Sequence, residues 1–416
     1  MSRFIVNGGQ ELSGAVGVSG SKNAALAVLA ATILSESRCE IDNVPDILDV
    51  RSFLKILEIF GARINFSDHR VNVDATDLRS VSVPRDLAQR LRGSILTAGP
   101  MLARFGRAAM VQPGGDAIGQ RPIDVHLDGF RKLGGRITEK EQIEIEGKLT
   151  GTRVVLPVTS VTGTENLIMA ATAAQGTTEI RMAATEPHVQ DLCHFLVAMG
   201  AVIDGIGTPI LRISGPSKLH GAQYRICSDE IEAVTFCAAA AATKGEMTIT
   251  GVDLAHLDAP LALLERMNVV FTAAGNMIHI LKPKRPYRGV KITTGVYPQL
   301  LTDEQPLFGV LATQVVGDTT IHDWIYEGRQ GYLLALKQMG AEVTFGDKNH
   351  ATISGPTDLH GTEIRTPDLR AGASILIGSL VARGRSVIYN AEIIDRGYEK
   401  LDERLNSLGA RIERVD

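Results

Sequence analysis

The sequence predicts an α/β protein of two domains, built from six copies of a unit of roughly seventy residues, with apolar helices inside and sheets outside. Three observations carry the expectation. A helix-ending turn recurs six times, a second kind of turn recurs out of phase with it, and the two helices of each unit differ sharply in polarity.

The first series reads FGARI at Gly61, LGGRI at Gly134, MGAVI at Gly200, MNVVF at Asn268, MGAEV at Gly340 and LGARI at Gly409, with spacings of 66 to 73 residues. Each turn follows a helical pattern and leads into a strand. Glycine readily takes the left-handed conformation that ends a helix, and asparagine tolerates it next best, so Asn268 is an acceptable variant. The second series holds Gly106, Gly176, Gly245, Gly317 and Gly384, spaced by 67 to 72 residues, while the first copy reads SESRCEI around Ser35. That period is longer than the 20 to 50 residues of solenoid repeats, so the units are expected to group into domains, three to each.

One helix of each unit is amphipathic, as in DVRSFLKILEIF and GYLLALKQM, and the other is apolar all round, as in IEAVTFCAAAAAT and ASILIGSLVA. A helix apolar on every side must be surrounded by protein. The second kind therefore belongs in the interior.

A chain of 416 residues, 44% of them hydrophobic, can bury large cores, and its length favours two domains or more. The opening MSRFIVNGGQELSG has no apolar signal core, and the run AALAVLAATIL from Ala24 is too short for a membrane span, so a cytoplasmic protein without a span is expected. Cys39, Cys193, Cys227 and Cys237 form no metal-ligand spacing and no disulfide framework, and read as small buried hydrophobes. No metal site and no cofactor are expected. A net charge of −4 without a long basic run argues against broad nucleic-acid binding. Any anion site must be built locally.

Polar residues gather where the buried helices begin: SKN at Ser21, RGS at Arg92, TGTEN at Thr162, SDEIE at Ser228, TDEQ at Thr302 and DLR at Asp368. Helix capping accounts for many of the Ser, Thr and Asp members. It does not call for Lys22, Arg92 or Arg370. A helix N-terminus already favours anions, and added cations there point to several helix ends gathered on a polyanionic ligand. The stretch VQPGGDAIGQRPID, from Val111, combines glycines 114, 115 and 119 with Asp116, and reads as a mobile lid carrying a carboxylate.

GSKNAA, PGGDAIGQRPIDVH, SVTGTEN, TDEQ, DLRAGAS and IDRGYE occur in an order and spacing that resemble the enolpyruvyl transferase family along the full chain. The resemblance implies two inside-out α/β barrel domains, each of three βαβαββ-like repeats. One is placed at residues 21–228 with the mobile loop, the other at 1–20 plus 229–416 with the candidate base, and the active site in the cleft between them. The activity implied is transfer of the enolpyruvyl group of phosphoenolpyruvate to the 3′-hydroxyl of UDP-N-acetylglucosamine, with release of phosphate, as in peptidoglycan synthesis. Two small-molecule substrates are then the expected partners.

By the same resemblance Lys22, Arg121 and Arg396 contact phosphoenolpyruvate, with Arg370 close by. Asn23, Arg92 and Arg329 match positions that hold the nucleotide sugar, steer the mobile loop or line the cleft. Arg121, Pro122, Ile123, Asp124 and Val125, with Ser160 and Val161, form a UDP-binding wall, and the main chain of Ile325 adds a contact. Asp303 stands as general base on the sugar hydroxyl. Asp116 stands where the family often has cysteine, as proton donor or aid to product release. Lacking the thiol that the epoxide fosfomycin alkylates in that family, the chain is expected to resist it.

Four further departures are Thr162 for a glycine in the wall, Leu301 for a proline, Gly328 for a larger residue and Val158 for a lysine. Two alternatives accompany the main reading: a catalytically silent paralogue that binds the nucleotide sugar, and a transferase acting on shikimate 3-phosphate. The second characteristically has GSKS where this chain has GSKN, and lacks the PGGDAIGQRP loop.

Overall fold

All six turns of the first series are left-handed in the computed structural model, which describes residues 2–79, 82–116 and 118–415. Their φ angles are 104° at Gly61, 100° at Gly134, 105° at Gly200, 67° at Asn268, 101° at Gly340 and 99° at Gly409. Asparagine therefore does the work of glycine at the fourth copy. The second series is less uniform. Gly106, Gly176, Gly317 and Gly384 have positive φ, but in the fourth copy Lys244 takes the left-handed angle, at 58°, in place of Gly245. Gly245 serves close approach instead, since a Cβ there would lie 1.9 Å from the Leu12 carbonyl oxygen.

Each turn joins pieces of one repeating plan, shown in full by the strand Arg153–Val155, helix Val161–Ala171, strand Gly176–Arg181, helix Pro187–Ala198 and strands Val202–Asp204 and Ile210–Gly215. Arg153–Val155 pairs parallel with Gly176–Arg181, which pairs antiparallel with Ile210–Gly215, and Val202–Asp204 lies outermost. The parallel pair needs a crossover, and the apolar helix provides it.

Six sheets result among the described residues, five of four strands and one of three. In the three-stranded sheet of Arg107–Met110, Ile143–Glu146 and Arg136–Glu139, the parallel partner is a bridge between Ser82 and Ala109. The apolar helix of that copy is also broken. A 3-10 segment at Arg92–Thr97 precedes a helix at Ala98–Phe105, so Arg92 does not open an α-helix as the sequence pattern implied.

The chain divides into two units by its internal contacts. The first comprises Met1–Ser19, Asp116–Gln120 and Ser228–Asp416, and the second Gly20–Gly115 and Arg121–Cys227. Three sheets fall in each. Strand Ser13–Gly17 precedes the second unit's helix Lys22–Ala31 in sequence, yet pairs parallel with Glu246–Thr250 of the first unit. Strand Gln223–Arg225 precedes the first unit's helix Glu230–Ala242, yet pairs parallel with Cys39–Asp42 of the second. The two units have thus exchanged opening strands. Strand Arg3–Asn7 completes a sheet of the first unit by lying antiparallel to both Arg385–Tyr389 and Ile412–Val415.

Helices form the inside of each unit. Every residue of Glu230–Ala242 is buried, as are all but the last of Leu369–Val381 and all but the first two of Val161–Ala171. Their richness in alanine and glycine lets helix axes approach closely. At Gly99, a Cβ would stand 2.3 Å from the Asn166 carbonyl oxygen. Cys39, Cys193 and Cys237 are buried and Cys227 is partly so, all as free thiols. Among the described residues no helix is long and apolar enough to cross a membrane.

Candidate active site

The helix starts separate capping residues from the others. Ser21 accepts from the Ala24 N–H, Ser160 from Gly163, Asp229 from Glu232, and Asp368 from both Arg370 and Ala371. Asp303, two positions before the start of the helix proper at Gln305–Ala312, turns its carboxylate to other partners. Arg329 Nη2 donates to its Oδ1 at 2.5 Å and Arg370 Nε to its Oδ2 at 3.1 Å. Both arginines are 3% exposed, while the Asp303 side chain retains 28%. The carboxylate is thus gripped on both oxygens by buried guanidinium groups while part of its side chain stays accessible.

Around this cluster the first unit adds a second layer. Arg329 Nε donates to Thr302 Oγ1 at 3.2 Å, and that hydroxyl donates to Asp323 at 2.8 Å. Asp323 also accepts from the Ile325 N–H at 3.1 Å, which ties the main chain of Ile325 to this cluster. Arg370 lies over the Tyr398 ring at 5.5 Å, and its Nη1 is buried without a hydrogen-bond partner among the described residues. Burial pushes Glu304 up to about 8, and its Oε2 accepts from the Leu301 N–H at 3.0 Å. Leucine at 301 supplies a donor that proline could not.

The loop residues Asp116–Gln120 belong to this unit. Asp116 forms an ion pair with Arg396, both side chains being largely buried. Burial raises the Asp368 carboxyl, with Arg329 opposing the rise and Asp116 adding to it. The Gly328 N–H donates to the Ile118 carbonyl at 3.0 Å, and the Gln120 N–H to Glu327 at 3.2 Å. A Cβ at Gly328 would lie 2.7 Å from the Ile118 carbonyl carbon. The missing side chain at 328 is therefore what lets the loop backbone settle there. Ala117 lies outside the described residues.

The second unit holds the remaining candidates. Lys22 opens its helix, buried, with Nζ 2.7 Å from Asp49 Oδ2, and Asn23 beside it is half-buried. Arg92 Nη2 donates to the Pro122 carbonyl at 3.3 Å, which ties Arg92 to the segment of Arg121, Pro122, Ile123, Asp124 and Val125. Asp124 is exposed in the first turn of the helix Asp124–Lys132, and Ser160 and Val161 are half-buried at the start of Val161–Ala171. His126 and Asn166 connect these two segments. Burial, with Arg92 adding, holds the His126 imidazole down at about 3, so it is neutral.

Thus Asp303, Arg329, Arg370 and Ile325 come together, as do Asp116 and Arg396, and as do Arg92 and the Pro122 segment. Sequence reasoning passed over Asp49, Asp323, Tyr398 and His126. Asp49 and Asp323 carry no local signal, for their roles arise from partners 27 and 21 positions away along the chain. His126 lay inside a quoted motif and could have been chosen.

Comparison with known proteins shows the family and the fold. Residues 6–405 match the family model described as EPSP synthase (3-phosphoshikimate 1-carboxyvinyltransferase). The chain is 41% identical over 419 aligned positions to the UDP-N-acetylglucosamine 1-carboxyvinyltransferase of Prosthecochloris aestuarii, covering 100% of this chain and 98% of the relative. It is also 41% identical to the protein of that name from Idiomarina loihiensis, with 100% of both covered. Among solved structures, the enolpyruvyl transferase NikO from Streptomyces tendae superposes with a TM-score of 0.90 at 26% identity, over 100% of this chain and 99% of that one. EPSP synthase from Acinetobacter baumannii shares the fold, with a TM-score of 0.79 at 21% identity over 100% of both chains.

Proposed function

Because the chain belongs to the EPSP synthase family of enolpyruvyl transferases, we propose that it transfers the enolpyruvyl group of phosphoenolpyruvate to the 3′-hydroxyl of UDP-N-acetylglucosamine, releasing phosphate, as a step of peptidoglycan synthesis. The observation that carries the choice of acceptor is the 41% identity over the full chain with relatives named for that activity.

The reaction is addition followed by elimination. The sugar oxygen bonds to C2 of phosphoenolpyruvate while a proton is added at C3. The C2–O bond to phosphate then breaks as a C3 proton leaves, and the double bond returns. Asp303, whose side chain stays partly accessible, takes the hydroxyl proton. Asp116 delivers the proton to C3 or assists the leaving product. Lys22, Arg121 and Arg396, with Arg370, hold the phosphate and carboxylate charges, for which the planar fork of arginine is suited. Asn23, Arg92, Arg329 and the main chain of Ile325 hold the nucleotide sugar, and Pro122, Ile123, Asp124, Val125, Ser160 and Val161 form its wall. Arg396 is paired with Asp116. An incoming anion must displace that carboxylate or share the guanidinium with it.

A coupled phosphate-release assay tests the reading. Phosphate should appear with UDP-N-acetylglucosamine and phosphoenolpyruvate, and not with shikimate 3-phosphate as acceptor. Release with shikimate 3-phosphate alone would overturn the assignment. Tight binding of UDP-N-acetylglucosamine without release would favour the silent regulatory paralogue.

A further inference from the structure

The wall segments of the second unit are joined by a buried polar chain whose direction can be worked out atom by atom. Asn166, fully buried on the helix Val161–Ala171, accepts from the Gly99 N–H through Oδ1 at 2.7 Å and donates through Nδ2 to the Ile95 carbonyl at 3.0 Å. One partner can only donate and the other can only accept, so the orientation of the amide is fixed. Its second N–H therefore points to His126 Nδ1, 3.0 Å away. That nitrogen must accept. A neutral imidazole then carries its proton on Nε2, which donates to Thr162 Oγ1 at 3.1 Å.

The chain ends on a hydroxyl that has received a hydrogen bond and still has its own proton to give. Among the described residues no group accepts from Thr162. At the second position of its helix, Thr162 has no carbonyl of a preceding turn to bond back to, which is where helical threonine hydroxyls ordinarily donate. The residue is half-buried, next to Ser160 and Val161, while His126 and Asn166 behind it are 1% and 0% exposed. Burying a histidine and an asparagine is costly unless every bond is made. Here they are made, and they fix where one hydroxyl proton points.

We propose that Thr162 is a specificity-determining residue of the nucleotide site, donating its hydroxyl hydrogen bond to a diphosphate oxygen of the bound nucleotide sugar, with His126 and Asn166 as the positioning residues behind it. The inference rests on the nucleotide-sugar reading given above. A diphosphate oxygen suits the position because the same first helical turn offers main-chain N–H groups that no intrahelical carbonyl can reach, which favours an anionic acceptor.

Calorimetric binding of UDP, UDP-N-acetylglucosamine and uridine tests it without depending on turnover. Thr162→Val, which keeps the shape and removes the hydroxyl, should weaken UDP and UDP-N-acetylglucosamine by roughly tenfold, the scale of one hydrogen bond to a charged group. Uridine binding and the KM for phosphoenolpyruvate should stay within about twofold, and Thr162→Ser should restore the affinity for UDP. His126→Gln, whose amide can still donate to Thr162, should fall between wild type and Thr162→Val. Undiminished UDP binding by Thr162→Val overturns the proposal, as does equal weakening by the Val and Ser variants or equal weakening of UDP and uridine. Failure of the wild type to bind UDP and UDP-N-acetylglucosamine at all would instead sink the nucleotide-sugar reading, and the proposal with it.

Discussion

Replacing Asp303 by asparagine separates two tasks that the structure gives to one carboxylate. As the proposed base it must accept a proton, and as a structural anion it neutralises Arg329 and Arg370, each 3% exposed. Asparagine keeps one acceptor oxygen for one guanidinium and turns an NH2 donor toward the other. Breaking a buried ion pair from one side costs about 3–5 kcal/mol. The Asp303 side chain is 28% exposed, and water would relieve part of that, which leaves about 2 kcal/mol. For a unit near two hundred residues, this lowers the melting temperature by roughly 4–8 °C. Loss of the base adds an independent effect, a fall in kcat of about 10² or more, or about 2.7 kcal/mol in the barrier. Scanning calorimetry and saturating phosphate-release kinetics on Asp303→Asn measure the two together, with UDP-N-acetylglucosamine affinity expected to stay within a few fold. Turnover within threefold of wild type would refute the base assignment. An unchanged melting temperature would refute the claim that this carboxylate compensates the buried arginines.

Three further outcomes follow from single residues. Asp116→Cys should become covalently labelled by fosfomycin, seen as one adduct by mass spectrometry, while the wild type stays unlabelled; an unmodified cysteine would show that residue 116 is not held where the epoxide binds. Burial pushes Glu165 up to about 8 from the ordinary carboxylate range, with His188 opposing and Glu186 adding. Its folded value lies above its unfolded one, so its contribution to stability is complete below about pH 4.5 and is lost as pH rises toward 8. Glu165→Gln should therefore gain in urea midpoint relative to wild type between pH 5 and pH 8, and parallel curves would contradict a neutral buried carboxyl. At Asn268, where φ is 67° and Nδ2 donates to the Pro286 carbonyl at 3.3 Å, Asn268→Gly should be nearly neutral. Asn268→Val should cost about 1–2 kcal/mol by chemical denaturation, and equal stabilities would mean that the turn tolerates a branched residue.

Much of this was legible because the repeat repeats its chemistry. Six turns needing positive φ left five glycines and an asparagine in register, and helices buried on every side had to be apolar on every side. The strand exchange was not legible. A five-residue strand such as Ser13–Gly17 says which face it buries and nothing about which sheet receives it. Nor could the sequence show that Arg92 stands on a 3-10 segment, since Gly93, Gly99 and Pro100 weaken a helix without saying what replaces it. At the site, Arg370 was found because a cation at a helix start stands out against capping, while Arg329 and the role of Asp303 came from the family resemblance. Asp49 was hidden, an ordinary acidic residue in the first turn of an amphipathic helix. The Asp116–Arg396 pair joins residues 280 positions apart, a distance over which neither motif constrains the other.

The pairing of Arg3–Asn7 between Arg385–Tyr389 and Ile412–Val415 sets a timetable for synthesis. A ribosome emits this strand long before its two neighbours. Phe4 and Val6, fully buried in the finished sheet, have no partner while nearly all the intervening chain is made. The stretch from Gly20 to Cys227 emerges far earlier and holds its own strand partners, including Gln223–Arg225 for Cys39–Asp42. The second unit can therefore assemble on the nascent chain, while this sheet of the first must wait until both neighbouring strands have been made. Through that interval an apolar strand is left open to chaperones, and to the same strand of other chains on the same message.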